Sequence, residues 1–554
     1  IIVALKKRPA LCAGRFLYSL RMKSESALSR WYHRHFNLSL PVFVPAAAIV
    51  FVFVLSTFVA RTEIESFFTD FQVSAYKNFG WMLILTVNLA FLAALWFALG
   101  KYGRVRIGGA DAVPEFKKGT WLAMLFSAGM GIGLVFFGVA EPMIHFKQPP
   151  YPLDGQPDRA ALAFQVSYLH YGVYPWAVYG IVGLGMAFFT FNRGLPLSIR
   201  SIFYPILGQR IYGVIGHTID VVAVIATLVG LATSLGFGVQ QIASGLAHLT
   251  PLESSVNFQV LLIAIITLFA TISVVTGLKK GVKLLSELNI WLAIGLMLLV
   301  LIVGPTVKIL DVFVQSTGNY LQNIISLGTW TEAFRRDGEW QHDWTVFYWA
   351  WWIAWSPFVG IFIARISKGR TVREFLLNVL IVPVLFTFFW FSVFGTSALE
   401  LELAGISAVG EAIEADLSTA LFVMLEQYPL AIFTSVVGIL LVTSFFVTSS
   451  DSGSLVVDML TSGGALDAPV GQRIFWAITE GAVAAALLMG GGLKAMQSMS
   501  IAAGIPYAFL VLVMIFSIRK GLHAEWLALP ETKKPMGPKL EKVKRHKRKK
   551  GRAQ

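Results

Sequence analysis

Apolar runs long enough to cross a bilayer recur along most of this chain, and nothing else in it narrows the possible folds so far. A helical span needs roughly 20 consecutive, mainly apolar residues. Such runs are read at about 41–60, 80–100, 120–140, 160–191, 219–248, 257–277, 288–306, 344–366, 375–397, 430–458, 473–492 and 500–518. With 56% hydrophobic and 14% charged residues the chain is far more apolar than a soluble domain. The expected fold class is an all-α polytopic membrane protein with about 12 transmembrane helices. Cys12 is the single cysteine, which excludes an intramolecular disulfide and a cysteine-based metal site.

The loops between these runs set an expected orientation. Lys101, Arg104, Arg106, Lys117 and Lys118 follow the second run, and Arg193, Arg200 and Arg210 the fourth. Lys279, Lys280 and Lys283 follow the sixth, and Arg365, Lys368, Arg370 and Arg373 the eighth. All fall on one side, with both chain ends, whereas Glu400, Glu402, Glu411, Glu414 and Asp416 gather on the other. The positive-inside rule makes the basic side cytoplasmic. Residues 1–40 carry eight Lys or Arg between Lys6 and Arg34, with no small-residue cleavage site after an apolar core; they read as a cytoplasmic tail, not a signal peptide. The basic run Lys539–Arg552 reads either as a solvated tail or as an arm drawn to anionic lipid, at roughly 1 kcal/mol per basic residue near the surface. The net charge of +14 belongs to these ends and loops, so nucleic-acid binding is not the reading.

Three stretches carry candidate chemistry. Five of the 16 tryptophans lie between Trp344 and Trp355, and Trp351, Trp352 and Trp355 sit too deep in their run for an interfacial belt. Trp352 and Trp355 share a helix face at i, i+3, and stacked indoles hold a cation that has no N–H to donate; tight helix packing is the other use of such rings. Ser127-Ala-Gly129-Met-Gly131-Ile-Gly133 places three glycines at spacing two, which lets a membrane helix unwind where it lines a cavity, or lets helices pack closely. Thr448-Ser449-Ser450-Asp451-Ser452 closes an apolar run with the hydroxyl oxygens a sodium ion takes, although such hydroxyls also bond to their own helix. Asp451 is either close to the cytoplasmic end or a functional intramembrane carboxylate. Breaks expected at Gly129–Gly133 and at Trp355–Pro357 each open a set of five runs, the pattern of an inverted-repeat transporter. No nucleophile–base pair and no His-Glu-x-x-His is present, so an enzyme is not expected.

Gly129-Met-Gly-Ile-Gly-Leu-Val-Phe-Phe-Gly-Val-Ala-Glu-Pro142, Tyr348-Trp-Ala-Trp-Trp-Ile-Ala-Trp-Ser-Pro-Phe-Val-Gly360, Ala364-Arg-Ile-Ser-Lys-Gly-Arg-Thr371 and Val447-Thr-Ser-Ser-Asp-Ser-Gly453 resemble the betaine/choline/carnitine transporter (BCCT) family over about residues 40–520. The resemblance implies LeuT-like inverted five-helix repeats, a plasma-membrane homotrimer and quaternary-ammonium substrates. It divides the chain into a basic N-terminal tail (1–40), two additional helices (41–119), a first five-helix repeat (120–306), an extracytoplasmic amphipathic segment (307–343), a second repeat (344–518) and a basic C-terminal tail (519–554). Carried over by motif, the substrate-binding residues are Trp176, Tyr179, Trp351, Trp352 and Trp355, with Tyr171 where the family often has another Trp, and with Ala128 and Gly133 near the substrate carboxylate. A sodium ion, the coupling ion, takes Ser127, Met130, Phe445, Thr448 and Ser449; Phe136 and Phe362 match gates. A second sodium site needs Thr227 and the Phe358 region, but Leu231 stands where it needs a hydroxyl. Gly133 replaces the Asp of many choline carriers and favours a zwitterion such as glycine betaine; residues 221–248 lack the Arg of sodium-independent exchangers. The implied function is sodium-coupled import of such an osmolyte, and the alternatives are proton-coupled choline transport, carnitine/betaine exchange and a non-transporting osmolyte sensor.

Overall fold

The structure is a computed structural model and describes residues 37–129, 131–151, 153, 155–276, 279–334, 340–406, 409–465 and 469–528. The basic run Lys539–Arg552 and nearly all of the N-terminal tail lie outside the described residues. Among the described residues the secondary structure is helical, apart from a single bridge between Arg106 and Thr371. The long helices are α1 (Leu40–Val59), α2 (Arg61–Leu99), α3 (Lys118–Gly129), α4 (Ile132–Lys147), α5 (Gln156–Tyr171), α6 (Val173–Arg193), α7 (Val214–Leu249), α8 (Val256–Thr276), α9 (Lys279–Val303), α10 (Thr306–Gly328), α11 (Phe347–Arg365) and α12 (Val372–Leu403). After α12 come the short α13 (Val409–Ala415) and α14 (Ala420–Glu426), then α15 (Ala431–Thr461), α16 (Val470–Met489) and α17 (Leu493–Ala528).

Ten helices among the described residues are long and apolar enough to cross a membrane. The two expected spans missing from that ten have identifiable causes. The third is split into α3 and α4, each too short to cross alone. The eleventh, α16, carries Gln472, Arg473 and Glu480 within its 20 residues. Span four is also split, at Gly172 between α5 and α6. The helix of span two begins at Arg61, well before the apolar run, and the last helix continues to Ala528, beyond the expected end at 518.

The expected break at Trp355–Pro357 is absent. Helix α11 runs unbroken through Pro357, and the irregular turn lies upstream, as a π-helical stretch over His342–Val346. Proline removes the N–H that would bond the carbonyl of Ile353. The hydroxyl of Ser356 donates to that carbonyl instead, at 2.7 Å, so the helix survives its missing bond. Ser356→Ala is expected to destabilise the protein by about 1 kcal/mol, the order of one orphaned buried acceptor. Thermal unfolding in detergent checks this; Ser356→Thr should restore stability, and an Ala variant melting with the parent refutes the account.

The basic loops lock the two halves on one face. Arg370 stacks on Trp121 of α3 (4.6 Å to the ring centroid), donates to the Phe116 carbonyl and pairs with Glu374 at 2.8 Å. Thr371 caps α12 by accepting from Glu374 N at 3.1 Å, the Thr-x-x-Glu signature of a helix start. Between the halves, α6 and α11 meet almost backbone to backbone: a Cβ on Gly360 would lie 2.6 Å from Val182 Cγ1 and 3.2 Å from Gly183 N. Small residues are what permit such an approach in a membrane.

Candidate functional site

Helix α6 presents Trp176, Tyr179, Gly180 and Gly183 along one face at i, i+3, i+4 and i+7. The close α6–α11 packing therefore sets the Trp176 and Tyr179 rings beside the indoles of α11. Trp176 meets Tyr179 edge-on at 5.3 Å, and Tyr179 meets Trp355 at 6.1 Å and Trp352 at 6.5 Å. Trp352 and Trp355 are 6.1 Å apart. Tyr171 closes the side wall against Trp352 at 5.4 Å. Every one of these rings is buried.

Hydrogen bonds hold the rings at fixed angles. Trp352 Nε1 donates to the His170 carbonyl at 2.9 Å and Trp351 Nε1 to the Gly230 carbonyl at 3.2 Å. Tyr171 donates its hydroxyl to the Gly133 carbonyl at 3.2 Å. Trp351 lies stacked behind Trp352 (4.4 Å, 16°), with its rim towards Gly133. Gly131 is extended and α4 starts at Ile132, so the helix opens directly onto the box. The first amides of a helix lack intrahelical partners and attract negative charge. Ring faces able to hold a cation and a helix start able to attract an anion thus border one cavity.

That cavity is small, about 40 Å³, and Gly131, Gly133, Tyr179, Trp352, Trp355 and Ser449 are among its walls. Trp355 and Ser449 also line a cavity of about 540 Å³ towards the basic face, together with Phe358, Phe362, Phe445 and Thr448. On the acidic face a vestibule of about 870 Å³ reaches Phe137, Trp344 and Phe347. Between vestibule and box lie several aromatic layers: Phe136 against Phe137 (4.8 Å) and Phe237 (5.0 Å), and Trp351 against Phe347 (5.6 Å). Towards the basic face Trp355 is itself the partition. Phe136 and Phe362 therefore stand on opposite sides of the box.

The proposed ion ligands are only partly visible. The side chains of Ser127 and Ala128, and the whole of Met130, lie outside the described residues. Thr448 donates to the carbonyls of Ser444 (2.9 Å) and Phe445 (3.2 Å) and accepts from Asn289 Nδ2 at 3.1 Å. Ser449 sits where the two cavities meet. Thr227 bonds to the Ala223 carbonyl at 2.7 Å, and the Leu231 side chain is directed at Gly453. Asp451 is paired with Arg473 at 3.3 Å and does not reach the box. Outside the glycine motif, three cavity residues escaped the sequence reading: Pro175, Ser234 and Thr387. Only Pro175, between Trp176 and the break at Gly172, had a local signal.

A many-spanned helical protein with an aromatic site between a vestibule on one face and a cavity towards the other has the build of a membrane transporter. Comparison with known proteins agrees: the model of the betaine/carnitine/choline family transporters, BCCT, matches residues 41–527, and the chain belongs to that family. It is 45% identical over 502 residues to a glycine betaine/proline/choline transporter of Vibrio parahaemolyticus, covering 87% of this chain and 90% of that one. A glycine betaine transporter of the same organism is 43% identical (88% and 95% covered), and the glycine betaine transporter OpuD of Bacillus subtilis is 41% identical (91% and 98% covered).

Proposed function

We propose that this protein imports a quaternary-ammonium osmolyte such as glycine betaine, coupled to sodium, by alternating exposure of the aromatic box. The observation that carries this reading is the meeting of Trp176, Tyr179, Trp352 and Trp355 with the start of α4 in one small cavity. Ring faces suit a trimethylammonium group, and the free amides of a helix start suit its carboxylate. The relatives named for glycine betaine support the same substrate.

Alternating access draws support from the packing. The contact of spans four and eight (α6–α11) is answered by that of three and nine (α4–α12). Five–twelve (α7–α17) is answered by ten–seven (α15–α9), and five–eleven (α7–α16) by ten–six (α15–α8). This is the exchange expected of two inverted five-helix repeats in a LeuT-like fold of twelve spans. Spans eight and twelve (α11–α17) pack closely, with no comparable contact between three and seven (α4–α9) among the described residues. That asymmetry accompanies a thick aromatic seal on the acidic face and a thin one on the basic face, as in an inward-facing conformer. The orientation with cytoplasmic basic loops in the plasma membrane, a homotrimer, and attraction of Lys539–Arg552 to anionic lipid complete the reading.

Uptake of labelled glycine betaine, choline and carnitine into proteoliposomes, with and without a sodium gradient, tests it. Betaine uptake driven by inward sodium is the expected result; accumulation of none of the three overturns the function. Thr448→Ala combined with Ser449→Ala is expected to raise the sodium concentration for half-maximal uptake. Parent uptake that ignores sodium would remove the ion from the mechanism.

A further inference from the structure

Above the box, towards the acidic face, lies a group of polar side chains that substrate binding does not use. Glu141 on α4 is fully buried, as are His145 one turn later and His170 on α5. His170 Nδ1 donates to Glu141 Oε1 at 2.6 Å, which leaves its Nε2 to accept from the Thr345 hydroxyl at 3.0 Å. His145 Nε2 reaches the same carboxylate oxygen at 3.3 Å. Tyr348 donates to Glu141 Oε2 at 2.5 Å. With His145 Nε2 also donating, every partner of the carboxylate among the described residues is a donor, and the second nitrogen of His145, Nδ1, has no hydrogen-bond partner among them.

The charge account of this group is incomplete. With both imidazoles neutral, an ionised Glu141 would carry one negative charge within the membrane domain, which is costly without a cation. Among the described residues none of the cluster's bonds comes from Lys or Arg. Lys147, farther along α4, is held by Glu402 at 2.7 Å. On the other elements packed on α4, α7 brings Gln241, which bonds to the Val135 carbonyl, and α12 brings Trp390, bonded to the Leu134 carbonyl. Glu411 and Glu414 on α13 are acidic and act on Lys147. Glu332, in the segment before Trp340, accepts from the Gln341 backbone N–H at 3.0 Å. The ring of His145, by contrast, lies against Trp344 at 4.6 Å and Trp340 at 5.1 Å. Indole faces stabilise a cation. Trp344 lines the outer vestibule, as do Ile144 and Gln148 on either side of His145.

We propose that Glu141, His145 and His170 form a proton-binding site, loaded at His145 Nδ1 from the outer vestibule and wired to the substrate cavity. Protonation turns His145 into an imidazolium between two indoles and a carboxylate and makes the cluster neutral. Two connections carry the change inwards. Tyr348, bonded to Glu141, is 3.4 Å from the Tyr171 hydroxyl, which holds the Gly133 carbonyl at the start of α4. The His170 carbonyl holds the indole of Trp352. Loading the proton weakens the pull of Glu141 on Tyr348 and so changes how Tyr171 holds that helix start. Tyr348 and His170 are positioning residues in this scheme.

Two measurements on the purified full-length protein between about pH 5 and 8, where histidine charge changes, test it. An imidazolium quenches adjacent indoles, so tryptophan fluorescence of the substrate-free parent is expected to fall in a step on acidification. His145→Asn and Glu141→Gln should abolish that step, and Tyr348→Phe should keep it. Glycine betaine affinity, whose meaning rests on the substrate reading above, should change several-fold across the same range in the parent and stay flat in Glu141→Gln and Tyr348→Phe. A flat parent, or a step that survives in both His145→Asn and Glu141→Gln, overturns the proton site. Absence of betaine binding at every pH, with the step intact and lost in those variants, overturns the substrate reading and leaves the proton site standing.

Discussion

Trp352→Leu is expected to weaken binding of a trimethylammonium substrate by about 1–2 kcal/mol, the range for a desolvated cation–π contact, which is roughly 5- to 30-fold in Kd. The indole does more than offer a face. Its N–H is bonded to the His170 carbonyl and its ring is stacked on Trp351 at 4.4 Å, so removal also loosens the wall behind it. Trp352→Phe keeps an aromatic face without the N–H and should fall between parent and Leu. Trp355→Leu should weaken binding similarly and also join the 40 Å³ cavity to the 540 Å³ one, since its ring divides them. Tryptophan fluorescence titration with glycine betaine gives the affinities. Correctly folded Leu variants at both positions with parental affinity would remove these rings from the site.

Substitution of Gly133 acts on substrate choice. A Cβ there would sit 2.9 Å from Trp351 Cη2 and 3.6 Å from the Tyr171 hydroxyl, so even Ala must push an indole aside. Gly133→Ala is therefore expected to lower affinity for betaine and choline alike, and it is the reference for charge. Gly133→Asp adds a carboxylate near the ammonium site. At an effective dielectric of ~20, opposite charges ~4 Å apart gain ~4 kcal/mol before desolvation is subtracted. Choline has no anionic group and benefits; betaine brings its own carboxylate, which the Asp repels. Relative to Ala, the Asp variant should favour choline over betaine by about tenfold or more, a net shift of ~1.4 kcal/mol. Competition uptake of the two substrates measures the ratio. An unchanged Ala-to-Asp ratio, or a parent that already takes choline as readily as betaine, shows that Gly133 does not set the choice.

The helices and their order were legible in the chain because a bilayer leaves a run of 20 apolar residues little else to do. The unwinding near Gly131 was legible too, since three glycines at spacing two weaken a helix from within. Trp176, Tyr179, Trp352 and Trp355, singled out through their motif, do line one cavity. What failed to show were effects that depend on a neighbour in space. Pro357 signalled a break, but the Ser356 hydroxyl supplies the bond that proline lacks, and α11 stays whole. The third apolar run was expected to end near 140, whereas α4 continues to Lys147 and encloses Glu141 and His145 in the membrane domain. Glu141 meets His145 one turn on within α4, but its other partners carry no local signal: His170 lies 29 positions away and Tyr348 lies 207 away. Periodicity and composition report on a single helix and the solvent it meets. Which side chains gather round Glu141, and which ring lies between two cavities, was decided only when α4, α5, α6 and α11 packed together.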